Sequence, residues 1–248
     1  MDKIIDELPP MPKLSENIYD LEFSDIKSPM QPVILDETYK AEKLTGKKYT
    51  SVDIVRCPAL RRILDMKKLT MLSITETKLT VLDNLPVLEI LDFYNTGDTD
   101  DLPIIQRCNN LKYLSIRNSG VKQLSNIPSS ITHLTLNNCY NLVELPDNTK
   151  LPCLQSLDIS YCREISRLPS YKTLKTLAIR DTAVQCIGPS FSLEIIYLEK
   201  CKSLRQIKSI PCVTSLTVKQ CDEIVSLAQH ADLARLVIVQ LENCQALK

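Results

Sequence analysis

The sequence predicts an α/β solenoid, mostly β: a right-handed horseshoe with a parallel sheet on its concave face and a largely extended or 3-10 convex side. Three observations predict it. A frame L-x-x-L-x-L-x-x-(Cys/Thr/Ser), followed two or three residues later by another apolar residue, recurs ten times, starting at Tyr49, Leu69, Leu88, Leu111, Ile131, Leu154, Leu174, Leu193, Val213 and Leu236. Successive starts lie 20, 19, 23, 20, 23, 20, 19, 20 and 23 residues apart, a near-constant period that marks stacked repeats. Within each copy the fourth and sixth positions are apolar and alternate with polar ones, the period-two pattern of a short half-buried strand.

Each element follows from that frame. One such strand cannot bury its apolar side alone, so the copies stack into a parallel sheet. A typical coil points Ile131, Leu134, Leu136, Cys139, Leu142 and Leu145 inward. At about 1.5–3 kcal/mol per fully buried side chain, an upper bound, a coil is stable only between neighbours. A 20-residue coil has little room for a helix after its strand, so the outer arc reads as extended or 3-10, with Pro146, Pro169, Pro189 and Pro211 near its entry or exit. The 23-residue coils have room for a single helical turn. Residues 49–248 thus form ten repeats. Residues 1–48 form an N-terminal cap with one degenerate repeat at about 18–30 (IYDLEFSDI begins at Ile18) and an insertion at 27–48 carrying a short helix around 36–45. At the other end the strand near Leu236 to Leu241 offers an unpaired edge, and Leu247 lies on an uncovered underside.

Composition excludes several function classes. Apolar residues make up 44% and charged residues 24% of 248, ordinary for a soluble globular chain. Thirty basic residues balance thirty acidic ones, which removes the electrostatic pull toward nucleic acid or an anionic membrane. With only four glycines, neither G-x-G-x-x-G nor G-x-x-x-x-G-K-[ST] occurs, so no nucleotide cofactor is expected. The N-terminus, MDKIIDELPPMPK, has no apolar signal region, no window approaches 18 uninterrupted apolar residues, and no N-x-[ST] sequon is present.

The ten cysteines invite a sharper reading. Six share one repeat position: Cys57, Cys139, Cys162, Cys201, Cys221 and Cys244, in CPAL, CYNL, CREI, CKSL, CDEI and CQAL. Where Thr or Ser replaces Cys the next apolar residue comes one position sooner, in TKL (77–79), SGV (119–121) and TAV (182–184); Thr96 is the irregular member. Residue identity is coupled to corner length. A hydroxyl bonds nearby backbone in a tight turn, and a thiol is a small apolar filler for a wider one. No C-x-x-C occurs and only His133 and His230 are present, so no metal site and no cysteine catalysis are expected. Stacked thiols in a continuous core, with no secretion signal, point to free cysteines in a reducing compartment.

The frame covers about 200 of the 248 residues and identifies the chain as a member of the leucine-rich-repeat (LRR) proteins, short-repeat type. The alternation of L-x-L-x-x-C-x-x-L-x-x-L-P with L-x-I-x-x-T-x-[LV] resembles plant intracellular immune receptors. The short period, and segments such as IPSSITHLTLNNCYNLVELP (127–146), are similar to bacterial LRR effectors delivered into host cells. Those bacterial proteins usually carry Asn where this chain has Cys, and often Leu-Pro-x-Leu-Pro between strands; the chain departs on both points. The resemblance implies a non-enzymatic module that binds a protein partner on its concave face, with no cofactor, no nucleic acid and no membrane. It further implies a cytoplasmic protein, or one in the host cytosol for an injected bacterial effector. The alternative is the substrate-recruiting part of a larger enzyme such as a ubiquitin ligase.

The residues agree with a binding face. The third, fifth and seventh positions of successive strands stand in columns across the sheet. Tyr94, Tyr113, Arg117, His133, Asn137, Asp158, Tyr161, Arg180 and Tyr197 concentrate in the central copies and are the expected partner-binding residues. Tyr and Arg are the side chains that most often anchor interfaces. The acidic Asp92, Asp158 and Asp181 sit on separate strands with no paired base, so no enzymatic site is expected.

Overall fold

A computed structural model describes residues 32–46, 48–225 and 233–246. The described residues begin with β1 (Val33–Leu35), β2 (Lys43–Thr45), β3 (Ser51–Val55), β4 (Arg62–Leu64), β5 (Met71–Thr75) and β6 (Val81–Asp83). It continues with β7 (Ile90–Thr99), β8 (Ile104–Gln106), β9 (Tyr113–Val121), β10 (His133–Cys139), β11 (Ser156–Ser160) and β12 (Thr176–Arg180). It closes with β13 (Cys186–Ile187), β14 (Ile195–Glu199), β15 (Gln206–Ile207), β16 (Ser215–Lys219) and β17 (Ile238–Glu242). Eleven of these make one parallel sheet in the order β1-β3-β5-β7-β9-β10-β11-β12-β14-β16-β17. Repeat positions pair like with like: Leu134 lies between Leu114 and Leu157, and Asn137 between Arg117 and Ser160. Any one-residue slip would turn every apolar side chain out of the core, which is why the frame fixes the register.

The fold is a mostly β solenoid, as the period requires. Its core runs unbroken from Leu44 to Ile224, and Ile131, Leu134, Leu136, Cys139, Leu142 and Leu145 are all buried. The outer arc is more ordered than the sequence implied. Short coils leave it extended, and it pairs into a four-stranded sheet, β2-β4-β6-β8, and a two-stranded one, β13-β15. Between β8 and β13 the coils carry VELP and SRLP, where Pro146 and Pro169 lack the N–H that such a ladder needs. In the 23-residue coil that starts at Ile131 the expected helical turn reduces to one isolated turn, where Leu151 N donates to Asp147 O at 3.0 Å, and the outer arc of the coil that starts at Val213 lies partly outside the described residues.

The expected short helix around 36–45 is not formed. Residues 33–35 are β1, paired in register with β3, and β2 follows. The segment is taken up instead by sheet pairing on both sides of a turn at Asp36, whose carboxylate accepts from Thr38 N at 2.9 Å and Thr38 Oγ1 at 2.6 Å. Those bonds hold its carboxyl below the usual range. The degenerate repeat at 18–30, the rest of the first 31 residues, and Leu247 lie outside the described residues.

The corner after each strand has a common construction. The eighth position of every copy takes the left-handed conformation: Arg56, Glu76, Asn95, Asn118, Asn138, Tyr161, Asp181, Lys200, Gln220 and Asn243, with φ between 45° and 58°. The ninth side chain then bonds backwards. Thr77 Oγ1 donates to Thr75 O and accepts from Cys57 N of the preceding coil, both at 3.0 Å. Cys162 does the same with sulfur, donating to Ser160 O and accepting from Cys139 N, both at 3.4 Å. The thiol is therefore more than filler, because it repeats the hydroxyl's bonds at the longer reach of sulfur. Five of the six corner cysteines are buried, and Cys244 in the last coil is half-buried.

Candidate functional site

The concave face is the surface of the eleven-stranded sheet, and the pleat decides which side chains reach it. The seventh positions form the row Tyr94, Arg117, Asn137, Ser160, Arg180, Glu199, each registered on the next strand. Tyr113 and His133 are neighbours in the third-position column, and their rings stack at 4.4 Å with a 24° tilt. His133 Nδ1 lies 2.8 Å from the Thr132 hydroxyl, and burial lowers its pKa, so the ring is neutral at pH 7. This pair is an aromatic shelf in the middle of the sheet.

Two arginine clusters flank the shelf. Arg117 lies over the Tyr94 ring at 5.6 Å and donates to Asp92 Oδ2 at 2.6 Å. Arg180 lies over the Tyr197 ring at 5.0 Å, with Asp158 at 3.5 Å and Glu199 at 3.8 Å. Tyr197 donates to Glu199 at 2.8 Å. Burial, then that bond, raises the tyrosine pKa to about 12. Burial pushes Glu199 up, but the bonds from Tyr197 and Lys200 and the nearby cations outweigh it, so its carboxyl sits below the ordinary value. Stacking on tyrosine and pairing with carboxylates fix both guanidinium planes before any ligand arrives.

Part of the fifth-position column lies beneath the surface: Asp92, Ser115, Ala178 and Thr217 are buried. Asp92 is thus a buried acid held by Arg117; its Oδ1, Ser115 Oγ and Arg117 Nε have no partner among the described residues. Arg117 is half-exposed but has a structural duty as well as an open edge. Asp158 is likewise drawn in, accepting from Ser160 Oγ at 2.9 Å.

Of the nine expected site residues, Tyr94, Tyr113, Arg117 and His133 gather at the centre, and Asp158, Arg180 and Tyr197 form the second cluster. Asn137 lies between them, and Tyr161 stands at the strand-end rim, 46% exposed. Sequence reading missed the rest of that rim. Asn138 Nδ2 donates to Asn118 Oδ1 at 2.7 Å, and Tyr140 Oη donates to Asp98 Oδ1 at 3.0 Å. The signal was present as the recurrence of Asn at the eighth position (Asn95, Asn118, Asn138, Asn243), since asparagine tolerates the left-handed conformation best among residues with a Cβ.

The face offers little acid–base chemistry. Asp92 pairs with Arg117, Asp158 with Arg180, and Asp181 with Arg163 at 2.6 Å, each on a different strand. Among the described residues no group of His, Cys, Asp and Glu could hold a metal ion, and no helix is long and apolar enough to cross a membrane.

No family model matches the chain. Curated proteins of Arabidopsis thaliana do. Over 198 residues, 75% of this chain and 13% of the relative, it is 28% identical to Protein SUPPRESSOR OF npr1-1, CONSTITUTIVE 1. It is 28% identical to Disease resistance protein RPP5 over 181 residues (67% of the chain, 12% of the relative) and to Disease resistance protein RML1A over 160 residues (60% and 14%). The chain therefore matches about an eighth of the length of each. The repeat frame, the parallel solenoid and the likeness to these plant relatives lead to one conclusion: the fold is a mostly β solenoid consistent with leucine-rich repeats of the short type.

Proposed function

We propose that the chain is a non-enzymatic protein-binding module whose partner docks on the concave face, centred on Tyr113, Arg117 and His133. The observation that carries this reading is the stacked Tyr113–His133 shelf beside the Arg117–Tyr94 pair on a rigid sheet. A partner meeting that surface loses little free energy to ordering, because strand pairing, stacking and ion pairs already hold the side chains. Balanced charge means that attraction is local and set by shape, not by long-range steering. Relatives named for disease resistance support a recognition role in a defence setting.

The test is capture of partners from plant lysate with the wild-type chain and with Tyr113→Ala/His133→Ala. Both side chains are half-exposed and neither carries an ion pair in the structure, so the variant should fold. Affinity for the captured partner should fall by about 1–4 kcal/mol, the range for central anchors. Unchanged affinity in the folded variant would move the site off this face.

A further inference from the structure

We infer that the cleft between Tyr140 and Tyr161, at the strand-end rim of the concave face, receives a basic side chain, an arginine guanidinium or lysine ammonium presented by the protein partner. The inference rests on the reading that this face binds a protein and names the chemistry of one contact. The cleft encloses about 590 Å³ beside the ends of β9, β10 and β11, with Asn137, Asn138, Arg163 and Glu164 completing its wall.

What it offers a ligand follows from subtracting the bonds already made. Asn138 uses one N–H on Asn118, whose own amide N–H reaches Tyr94 Oη at 3.4 Å, and its carbonyl oxygen has no partner among the described residues. The Asn137 side chain makes no hydrogen bond among the described residues. Arg163, the cation of the lining, is committed to Asp181 at 2.6 Å. Glu164 is exposed and has no ion pair among the described residues. The surplus includes one carboxylate, the amide groups of Asn137 and Asn138 and two tyrosine rings. With Arg163 paired to Asp181, the Glu164 carboxylate is the one lining charge with no ion pair among the described residues, and with the tyrosine rings it makes the cleft complementary to a cation.

Tyr140 is built for that role. It is 43% exposed, yet its hydroxyl is anchored to Asp98, which Asn141 Nδ2 also reaches at 3.3 Å. Gly120 makes the anchor fit: a Cβ there would come within 2.1 Å of Asp98 Oδ1 and 2.8 Å of Tyr140 Oη. Donation to a carboxylate leaves the ring richer in electron density, which strengthens its attraction for a cation on its face. An exposed aromatic fixed in this way has its ordering cost met on folding, before any ligand arrives.

The probes are acetyl-Gly-Arg-Gly-amide and its citrulline counterpart, titrated into the isotopically labelled chain while the side-chain amide resonances of Asn137 and Asn138 are followed by NMR. The arginine peptide should shift both resonances saturably, with an affinity on the order of millimolar. The citrulline peptide should bind at least about fivefold more weakly. Glu164→Gln and Tyr161→Asn should each weaken arginine binding by about threefold or more. Asn is chosen because position 161 has φ 58°, so the ring is lost without backbone strain. Tyr113→Ala/His133→Ala should leave peptide binding intact, which separates failure of the cleft from failure of the central face. Equal binding of both peptides, no saturable shift, or shifts caused by N-acetylglucosamine and not by the arginine peptide would overturn the inference.

Discussion

Replacing Arg117 with Ala tests whether the concave face is also structural. Asp92 has a side chain only 5% exposed, and Arg117 supplies its one ion pair among the described residues, at 2.6 Å. Removing one partner of a buried pair typically costs about 3–5 kcal/mol, because the remaining charge is left without compensation. Arg117 itself is 38% exposed, so water can enter the space it leaves. The expected loss is therefore smaller, about 2–3 kcal/mol. With a urea slope near 3 kcal/mol per M, the midpoint should fall by about 0.7–1 M. Adding Asp92→Asn removes the stranded charge and should restore most of the loss, leaving the double variant within about 1 kcal/mol of the wild type. The assay is urea unfolding of the four proteins of the cycle, followed by circular dichroism. A single variant as stable as the wild type, or a double variant no better than the single, would refute the buried-pair account.

Other expectations follow from the same geometry. Burial, then the charge of Asp92, raises the Asp53 carboxyl above its ordinary 3.8. A raised folded-state value means that Asp53 contributes stability below its unfolded pKa and loses it as pH rises through the folded one; Asp53→Asn should therefore melt higher at pH 7, with the gain vanishing below about pH 3. A thiol reagent without denaturant should label exposed Cys153 first and leave Cys57, Cys108, Cys139, Cys162, Cys201 and Cys221 unmodified, with burial pushing Cys108 up to about 11; fast labelling of the core set would contradict the packing. Hydrogen exchange should open β17 before β10, because Val239 and Leu241 are 51% and 46% exposed; uniform protection of a monomer would refute this.

The fold was legible because its determinants are local and repeated. Apolar side chains at the places of Leu134 and Leu136, and Cys, Thr or Ser at the place of Cys139, recur in register from copy to copy, and a period of about 20 residues leaves one way to bury them. The outer sheets were not legible, since three-residue segments such as Arg62–Leu64 carry no alternation long enough to read. The helix expected near 36–45 failed because the flanking residues pair as β1 with β3 and β2 with β4, a long-range preference that the local sequence does not display. At the site, column membership came from counting positions, and Tyr94, Arg117 and Arg180 fall in the row so derived. Depth did not. That Asp92 lies beneath the surface depends on how neighbouring strands crowd the fifth position, and the Tyr140–Asp98 bond spans 42 residues.

The central claim is that the partner rests on the concave face, and hydroxyl-radical footprinting of the purified complex tests it most directly. Tyr94, Tyr113, His133 and Tyr197 should be protected from oxidation on binding. Phe191, 75% exposed on the connection after β13, and Val143, 53% exposed beyond the corner of its coil, should react as in the free chain. Protection of Phe191 and Val143 with undiminished oxidation of Tyr113 and His133 would contradict the account.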